Sequence, residues 1–237
     1  MGIARIFRSW PGLRVFAGVA GFALASVSAA AHKPNVDRRP GPAENVPVPV
    51  LAIEQLSLSD ALADFGERQA DPVALIEAAK IRKMLPSTLA GPENADPTTR
   101  SWKSLLARAA QFSGDNPALA GLIADVRAYQ RREIPSLADN VHLLHRLVKQ
   151  KSADRAEVRF KTGEFAIVYI RSDAPANLGL FVYDEFNNLI CSGDTATSEA
   201  LCRWRPRWDG VYLLDVRNET TDDIQYQLAI NHEIVAH

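Results

Sequence analysis

The feature that most constrains the fold is a change in the spacing of apolar residues near residue 153. Before it, apolar residues recur three and four positions apart, as in Leu75, Ile76 and Ala79, which is the spacing of one helix face. After it, Glu157–Lys161 alternates polar and apolar side chains, as a half-buried strand does. A chain with helices first and strands afterwards folds as an α+β protein. We therefore predict a small N-terminal helical bundle followed by an antiparallel β-sandwich.

The helical half contains four predicted helices. Asp71-Pro72 and Asn116-Pro117 each pair an N-cap residue with a proline, which fits the first helical position. The first helix is expected to begin at the N-cap candidates of 57–60, and the others to span 73–85, 101–112 and 118–132. Short loops between such helices favour an antiparallel bundle.

The second half contains seven predicted strands separated by turn residues. They are Glu157–Lys161, Phe165–Ile170, Leu178–Tyr183, Leu189–Cys191, Ala200–Trp204, Val211–Val216 and Ile224–Ile230. Short strands without intervening helices are typical of a sandwich. Residues 136–152 fit either a helix or a strand, and we interpret them as a helix or linker.

Residues 1–31 have the composition of a cleavable signal peptide. Arg5, Arg8 and Arg14 form a positive leading region, an apolar run follows over 15–27, and small residues end it at Ala31. The run is shorter than the roughly 18 apolar residues that a spanning helix needs. We predict cleavage after Ala31, a periplasmic or secreted location and no membrane span in the mature chain.

The predicted domains are therefore a signal peptide at 1–31, a proline-rich linker at 32–50, a helical domain at 51–152 and a β-sandwich domain at 153–237. The linker is interpreted as a semi-rigid tether or as a terminus without a role. The formal charge of the whole chain is −1, and loss of three arginines with the signal peptide takes it to −4. This mild acidity argues against a nucleic-acid partner.

Both cysteines, Cys191 and Cys202, lie in the sandwich half. An even number of cysteines in an exported chain favours a disulfide. A metal site would need more histidine or cysteine ligands close in sequence. We therefore predict a Cys191–Cys202 disulfide, and neither a metal nor a cofactor.

The order of residues in the second half resembles the bacterial pre-peptidase C-terminal domain. The residues concerned are Leu180–Glu185, Asn188–Ile190, Trp204–Pro206, Gly210–Tyr212, Val216–Asn218 and Tyr226–Leu228 with Asn231. The resemblance covers about 156–231 and implies a jelly-roll-like, non-catalytic accessory module. The whole chain also looks like a set of exported proteobacterial proteins of unknown function. Asn177 and Gly179 stand where the domain family often has an acidic pair, which puts a calcium site near Asp184 in doubt.

The strongest candidate for a binding surface is a cluster of Arg203, Arg205, Arg207 and Trp208. Tryptophan and arginine together can form an aromatic, cationic surface for sugars or anionic polymers. In the alternative interpretation Trp204 belongs to the core and the arginines are solvated. Alternation along the strand favours that alternative for Arg203 and Arg205.

Two further groups of polar residues were considered as catalytic or metal sites. Asp184, Glu185 and Asp194 lie in turn-like segments, where acidic residues are expected without catalysis. His142 and His145 would share a face if their segment were helical, but no third metal ligand is near. The sequence therefore predicts no catalytic residue.

The function predicted is a non-catalytic accessory protein whose β-sandwich binds a macromolecule, such as an envelope protein or a polysaccharide. The main alternative is a structural or assembly factor that docks a partner through the helical domain. A hydrolase whose site escapes linear inspection is the third possibility. A contiguous exposed apolar strip on the helices would favour docking, whereas burial of both Trp204 and Trp208 would weaken the surface-binding hypothesis.

Overall fold

The structure is a computed structural model that describes residues 32–37, 46–90, 100–130, 140–172, 176–193 and 198–235. All of them belong to a compact unit, His32–His237, whose first residue is the predicted mature N-terminus. The predicted signal peptide lies outside the described residues. None of the helices in the described ranges is both long and apolar enough to cross a bilayer.

The described part of the helical half contains five helices, α1 to α5. They span Val48–Gln69, Pro72–Met84, Ser87–Ala90, Trp102–Ser113 and Pro117–Ala128. The two cap-and-proline predictions are confirmed: the Asp71 carboxylate accepts hydrogen bonds from the amides of Val73 and Ala74, and Asn116 caps α5 in the same way. Residues 131–132 of the predicted fourth helix lie outside the described residues.

Helix α1 begins nine residues earlier than predicted. Its N-cap is Pro47 and a second proline follows in the first turn, where a missing amide hydrogen is tolerated. Ser59 and Asp60, interpreted as N-cap candidates, are instead buried inside the helix. The supposed linker thus ends in helix, and Asn35, in its first segment, is buried against the sandwich.

In the part of the chain that the structure describes, nine strands, β1 to β9, follow the helices. They span His142–Val148, Ser152–Phe160, Ala166–Ser172, Leu178–Tyr183, Leu189–Gly193, Glu199–Trp204, Gly210–Asn218, Ile224–Ile230 and Ile234–Val235. One sheet has the order β1-β8-β3-β6 and the other β5-β4-β7-β2-β9, with antiparallel pairing throughout. The α+β class with a C-terminal β-sandwich is confirmed.

The helix or linker interpretation of 136–152 was wrong where the structure describes it. His142–Val148 is strand β1 and pairs with all of β8, from His142 opposite Ile230 to Val148 opposite Ile224. Val141, Leu144 and Val148 fit a helix face in sequence, so the choice rests on a strand partner some eighty residues away. Pairing over such a distance leaves no local mark in the sequence.

Three apolar clusters organise the molecule into layers. One fills the space between the two sheets, and another lies within the helical half, between α1, α2, α4 and α5. A third joins α1 and α3 to the outer face of the four-stranded sheet, where Ile53 and Leu56 meet Ile167 and Tyr169. The helices therefore cover one outer face of the sandwich.

The predicted disulfide between Cys191 and Cys202 is confirmed. Cys191 lies in β5, at the edge of the five-stranded sheet, and Cys202 lies in β6, at the edge of the four-stranded sheet. The bond thus links the two sheets at one side of the sandwich.

Candidate functional site

The structure separates the predicted arginine and tryptophan cluster into two groups. Trp204 is buried in the core. Arg203 donates to the Glu54 carboxylate of α1 at 2.6 Å, and the guanidinium groups of Arg203 and Arg205 lie over the Phe165 ring at 5.3 and 4.7 Å. These two arginines therefore lie at the helix-covered sheet and not beside Trp208.

Trp208 belongs to an aromatic group at one end of the sandwich. Its ring centroid lies 6.5 Å from that of Phe186, and Phe186 stacks on His32 with a centroid distance of 4.1 Å and an interplanar angle of 4°. Phe186 is 43 % exposed, His32 is exposed and Trp208 is partly exposed. We call His32, Phe186 and Trp208 the aromatic end.

Polar groups surround the aromatic end. The indole Nε1 of Trp208 donates to Glu185 Oε1 at 2.5 Å, and this hydrogen bond fixes the orientation of the ring. Arg207, the next residue, is exposed. An aromatic surface beside a carboxylate offers both ring stacking and a charged hydrogen-bond acceptor.

Asn35 holds the loops of the aromatic end together. Its side-chain oxygen accepts from the amides of Arg207 and Trp208 at 2.9 and 3.1 Å, and its side-chain nitrogen donates to the Trp208 carbonyl at 3.1 Å. Its own carbonyl accepts from the Tyr212 hydroxyl at 2.7 Å. A Cβ at Gly210 would lie 2.6 Å from Asn35 Nδ2, so only glycine allows this approach.

Asp184 fixes the second loop of the aromatic end. Its carboxylate accepts from the backbone amides of Asn35, Phe186 and Asn188 at 2.8 to 3.0 Å and from the Asn188 side chain. Burial alone would raise the pKa of Asp184, but these hydrogen bonds outweigh it and lower the pKa. Nitrogen donors thus occupy the carboxylate that the calcium interpretation would need. No group of three or more candidate metal ligands occurs within the described ranges.

The other polar groups considered from the sequence are not brought together. Glu185 binds Trp208, while Asp194 lies outside the described residues. His142 and His145 are three apart on β1, an odd separation that places them on opposite faces of the strand. His142 lines a cleft of about 410 Å³ together with Arg159, Lys161 and His232, and His145 does not line it.

Sequence reasoning missed a buried cluster of charges between the helices and the four-stranded sheet. We define the interface charge cluster as Asp60, Asp64, Arg82, Arg100, Tyr169, Arg171 and Glu199. Asp60 and Arg82 are buried and form an ion pair between α1 and α2. Arg171 of β3 reaches Asp64 of α1 at 3.2 Å through both terminal nitrogens. The Tyr169 hydroxyl lies 3.0 Å from Asp60 Oδ2 and 2.7 Å from Glu199 Oε2.

Burial shifts the pKa values of the interface charge cluster in different directions. It raises the pKa of Glu199, and it raises that of Tyr169 well above its ordinary value, where the Asp60 carboxylate adds to the effect. It lowers the pKa of Arg82, against the attraction of Asp60. For Asp64, hydrogen bonds and charge from Arg171 and Arg100 outweigh burial, so the pKa falls.

The interface charge cluster contains three carboxylates and three guanidinium groups, and none of its members lines the cleft near His142. Compensated ion pairs also shift pKa values where no catalysis occurs. The arrangement therefore favours a role in fixing the helices on the sheet. The sequence does not reveal this cluster, because arginine and aspartate on an amphipathic helix have the same spacing in buried ion pairs as in solvated ones.

Comparisons with known proteins show a weak resemblance of fold. Neither a family model nor a curated protein sequence matches the chain. Among solved structures, a periplasmic inhibitor of g-type lysozyme from Aeromonas hydrophila shows 12 % identity and a TM-score of 0.32, over 43 % of this chain and 93 % of its own. The pre-peptidase C-terminal domain of a Bacillus anthracis collagenase shows 12 % identity and a TM-score of 0.32, over 37 % of this chain and 87 % of its own. A Yersinia pseudotuberculosis mitogen shows 9 % identity and a TM-score of 0.33, over 41 % of this chain and 96 % of its own.

Proposed function

We propose that this protein is an exported, non-catalytic accessory protein that binds a polysaccharide of the cell envelope through the aromatic end of its sandwich. The observation that supports this most directly is the exposed ring of Phe186 beside Trp208 and His32. Exposed aromatic groups on a soluble domain mark a binding surface more often than isolated apolar residues do.

The chemistry of the surface suits a sugar polymer. The C–H groups of a sugar ring pack on the face of an aromatic ring, and its hydroxyl groups hydrogen-bond to neighbouring carboxylates and guanidinium groups. Glu185 uses one oxygen for Trp208, and its other oxygen remains as an acceptor for a hydroxyl group. We further propose that Arg207, the exposed residue before Trp208 in the chain, donates to acidic sugars.

The surface is also preorganised. Asn35 and Asp184 fix the two loops through backbone hydrogen bonds, so little conformational entropy is lost when a ligand binds. Preorganisation matters for a shallow site because a few stacked rings supply only a modest binding free energy.

An exported location is consistent with the described features. The Cys191–Cys202 disulfide is typical of an oxidising compartment, and the residues at the predicted mature N-terminus take part in the aromatic end. The protein would then bind its polysaccharide outside the cytoplasm.

The experiment is co-sedimentation of the purified protein, expressed from its full sequence, with insoluble peptidoglycan and with cell-wall polysaccharide immobilised on beads. We expect retention by at least one polymer, and loss of most of it in Trp208→Ala and Phe186→Ala. Tyr129→Ala is the matched control, because Tyr129 is an exposed aromatic residue at the end of α5. Equal retention of all three variants and the wild type would contradict the proposal, as would no retention on either polymer.

A further inference from the structure

The face of α1 that points away from the core is apolar along its length. Val48, Leu51, Leu58 and Phe65 are 51, 40, 51 and 47 % exposed, and Leu62 is half-buried. Together with Gln55 and Gln69 they form what we call the α1 stripe. Exposing this many large apolar side chains on one helix has a cost in water, which a partner would remove.

The α1 stripe has the spacing of a coiled coil. Its seven members, from Val48 to Gln69, follow one another at alternating intervals of three and four residues. This 3.5-residue repeat is what packing against a second helix requires. Helix α1 has 22 residues and is therefore about 33 Å long, enough for three heptads.

The residues that flank the stripe indicate which helix covers it. On one side the flanking positions are Glu54, Ala61 and Arg68, which are seven residues apart. In an antiparallel pair of identical helices these positions face each other across the interface. Glu54, whose Oε1 already accepts from Arg203 of its own chain, then meets Arg68 of the other copy twice, with Ala61 facing Ala61 at the two-fold axis. On the opposite flank lie Ala52, Ser59 and Gly66, which carry no charge, so a parallel pair would gain no ion pair.

We propose that the α1 stripe is an isologous interface on which a second copy of this chain packs antiparallel. In the register that pairs Glu54 with Arg68, Leu58 packs against Leu62 in two central layers and Gln55 against Phe65 in the next. Leu51 packs against Gln69 at the ends. An isologous contact closes on itself and gives a dimer rather than a filament.

The first test is sedimentation equilibrium of the full protein between about 1 and about 200 µM, the range in which modest interfaces associate. We expect a dimer for the wild type and a dimer dissociation constant raised on the order of 100-fold in Leu58→Lys, because this residue enters both central layers. Circular dichroism should show unchanged helix content, since the Leu58 side chain is half-exposed in the single chain. A wild type that stays monomeric, or a dimer indifferent to Leu58→Lys, would overturn the proposal.

The second test fixes the direction of the pair. Ala61→Cys places a thiol beside its own copy at the two-fold axis, so mild oxidation should give a disulfide-linked dimer. Ala120→Cys, at another exposed alanine on a helix, is the control and should remain monomeric. A dimer in which Ala61→Cys does not cross-link faster than Ala120→Cys would rule out the antiparallel register. Polysaccharide retention by Leu58→Lys should be unaffected, which separates this proposal from the proposed function.

Discussion

Strands β3 and β7 lie inside different sheets and differ in what covers their outer faces. Along β3 the outward residues Ile167 and Tyr169 are 0 and 2 % exposed, because α1 packs on them. Along β7 the outward residues Val211 and Leu213 are only half-buried, so fully and partly buried positions alternate over Gly210–Leu214, as on a sheet with one solvated face. Burial of successive residues along β3 therefore shows a strand covered on both faces, and here the second cover is the helical half.

The same difference explains where charges can be buried. At the helix-covered sheet, Asp60 and Arg82 have lost their water and depend on each other. On the open sheet, Asp215 is buried, but its arginine partners Arg155 and Arg217 remain largely exposed. Removing one member of an ion pair should thus lower the free energy of unfolding more at the helix-covered sheet than on the open sheet.

The largest effect is expected for Asp60→Ala. This change leaves the buried Arg82 without its carboxylate and should lower the free energy of unfolding by about 3–5 kcal/mol. Urea unfolding followed by circular dichroism measures it. Glu67→Ala removes the carboxylate of the exposed Arg108–Glu67 pair and is the control, with an expected change below about 1 kcal/mol. Similar losses in the two variants would mean that the interface charge cluster is solvated.

The next largest effect compares the outer faces of the two sheets directly. Ile167→Ala opens a cavity between β3 and the helices and should lower the free energy of unfolding by about 3 kcal/mol. Leu213→Ala on β7 should have less than half that effect, because its side chain is only partly buried. If the two changes prove equal in the same urea experiment, the helices do not cover the sheet as described.

A smaller loss is expected when the link between the sheets is removed. Cys191→Ser combined with Cys202→Ser should lower the free energy of unfolding by about 2–3 kcal/mol, because the disulfide closes a short loop. Thermal unfolding of the double variant, compared with the oxidised wild type, measures the change. Reduction should have no further effect on the double variant, and a marked effect would point to a different use of the thiols.

The smallest effect is a change in pH dependence. Burial would raise the pKa of Asp154, but hydrogen bonds from Arg146 and Tyr226 outweigh it and lower the pKa. Its contribution to stability is therefore present above the pKa of the unfolded chain and is lost as the pH falls through the folded pKa. For Glu199, burial raises the pKa, so protonation favours the folded state as the pH falls.

Removing these two carboxyl groups, by Asp154→Asn and by Glu199→Gln, should therefore change the loss of stability at acidic pH in opposite directions. As the pH falls toward about 4, the stability of Glu199→Gln should fall more steeply than that of the wild type, and as it falls further, that of Asp154→Asn should fall less steeply. Chemical unfolding at a series of pH values provides the comparison. Parallel curves for both variants would show that neither carboxyl group has the environment described.

Sequence patterns predict the features that depend on near neighbours. The bounds of β4 and β8, the caps at Asp71 and Asn116, and the disulfide agree with the structure. In each case the cause lies within a few residues or in one pair of side chains.

Features that depend on distant partners were not predictable in this way. β1 is defined by pairing with β8, and the burial of Asp60 is defined by Arg82 and by the sheet beneath it. The aromatic end was predictable only in part. The sequence identified Trp208 as a candidate binding residue, but it did not identify Phe186 or His32. Only the fold brings the residue at the predicted mature N-terminus onto the 184–188 turn.

The central claim, that the aromatic end is the surface that binds envelope polysaccharide, can be tested by hydrogen–deuterium exchange. The full protein would be compared alone and with a saturating concentration of a soluble fragment of whichever polymer retains it. We expect slower exchange at 32–37, 184–188 and 205–209, and unchanged exchange along α1. Protection confined to the helices, or distributed evenly over the chain, would contradict it.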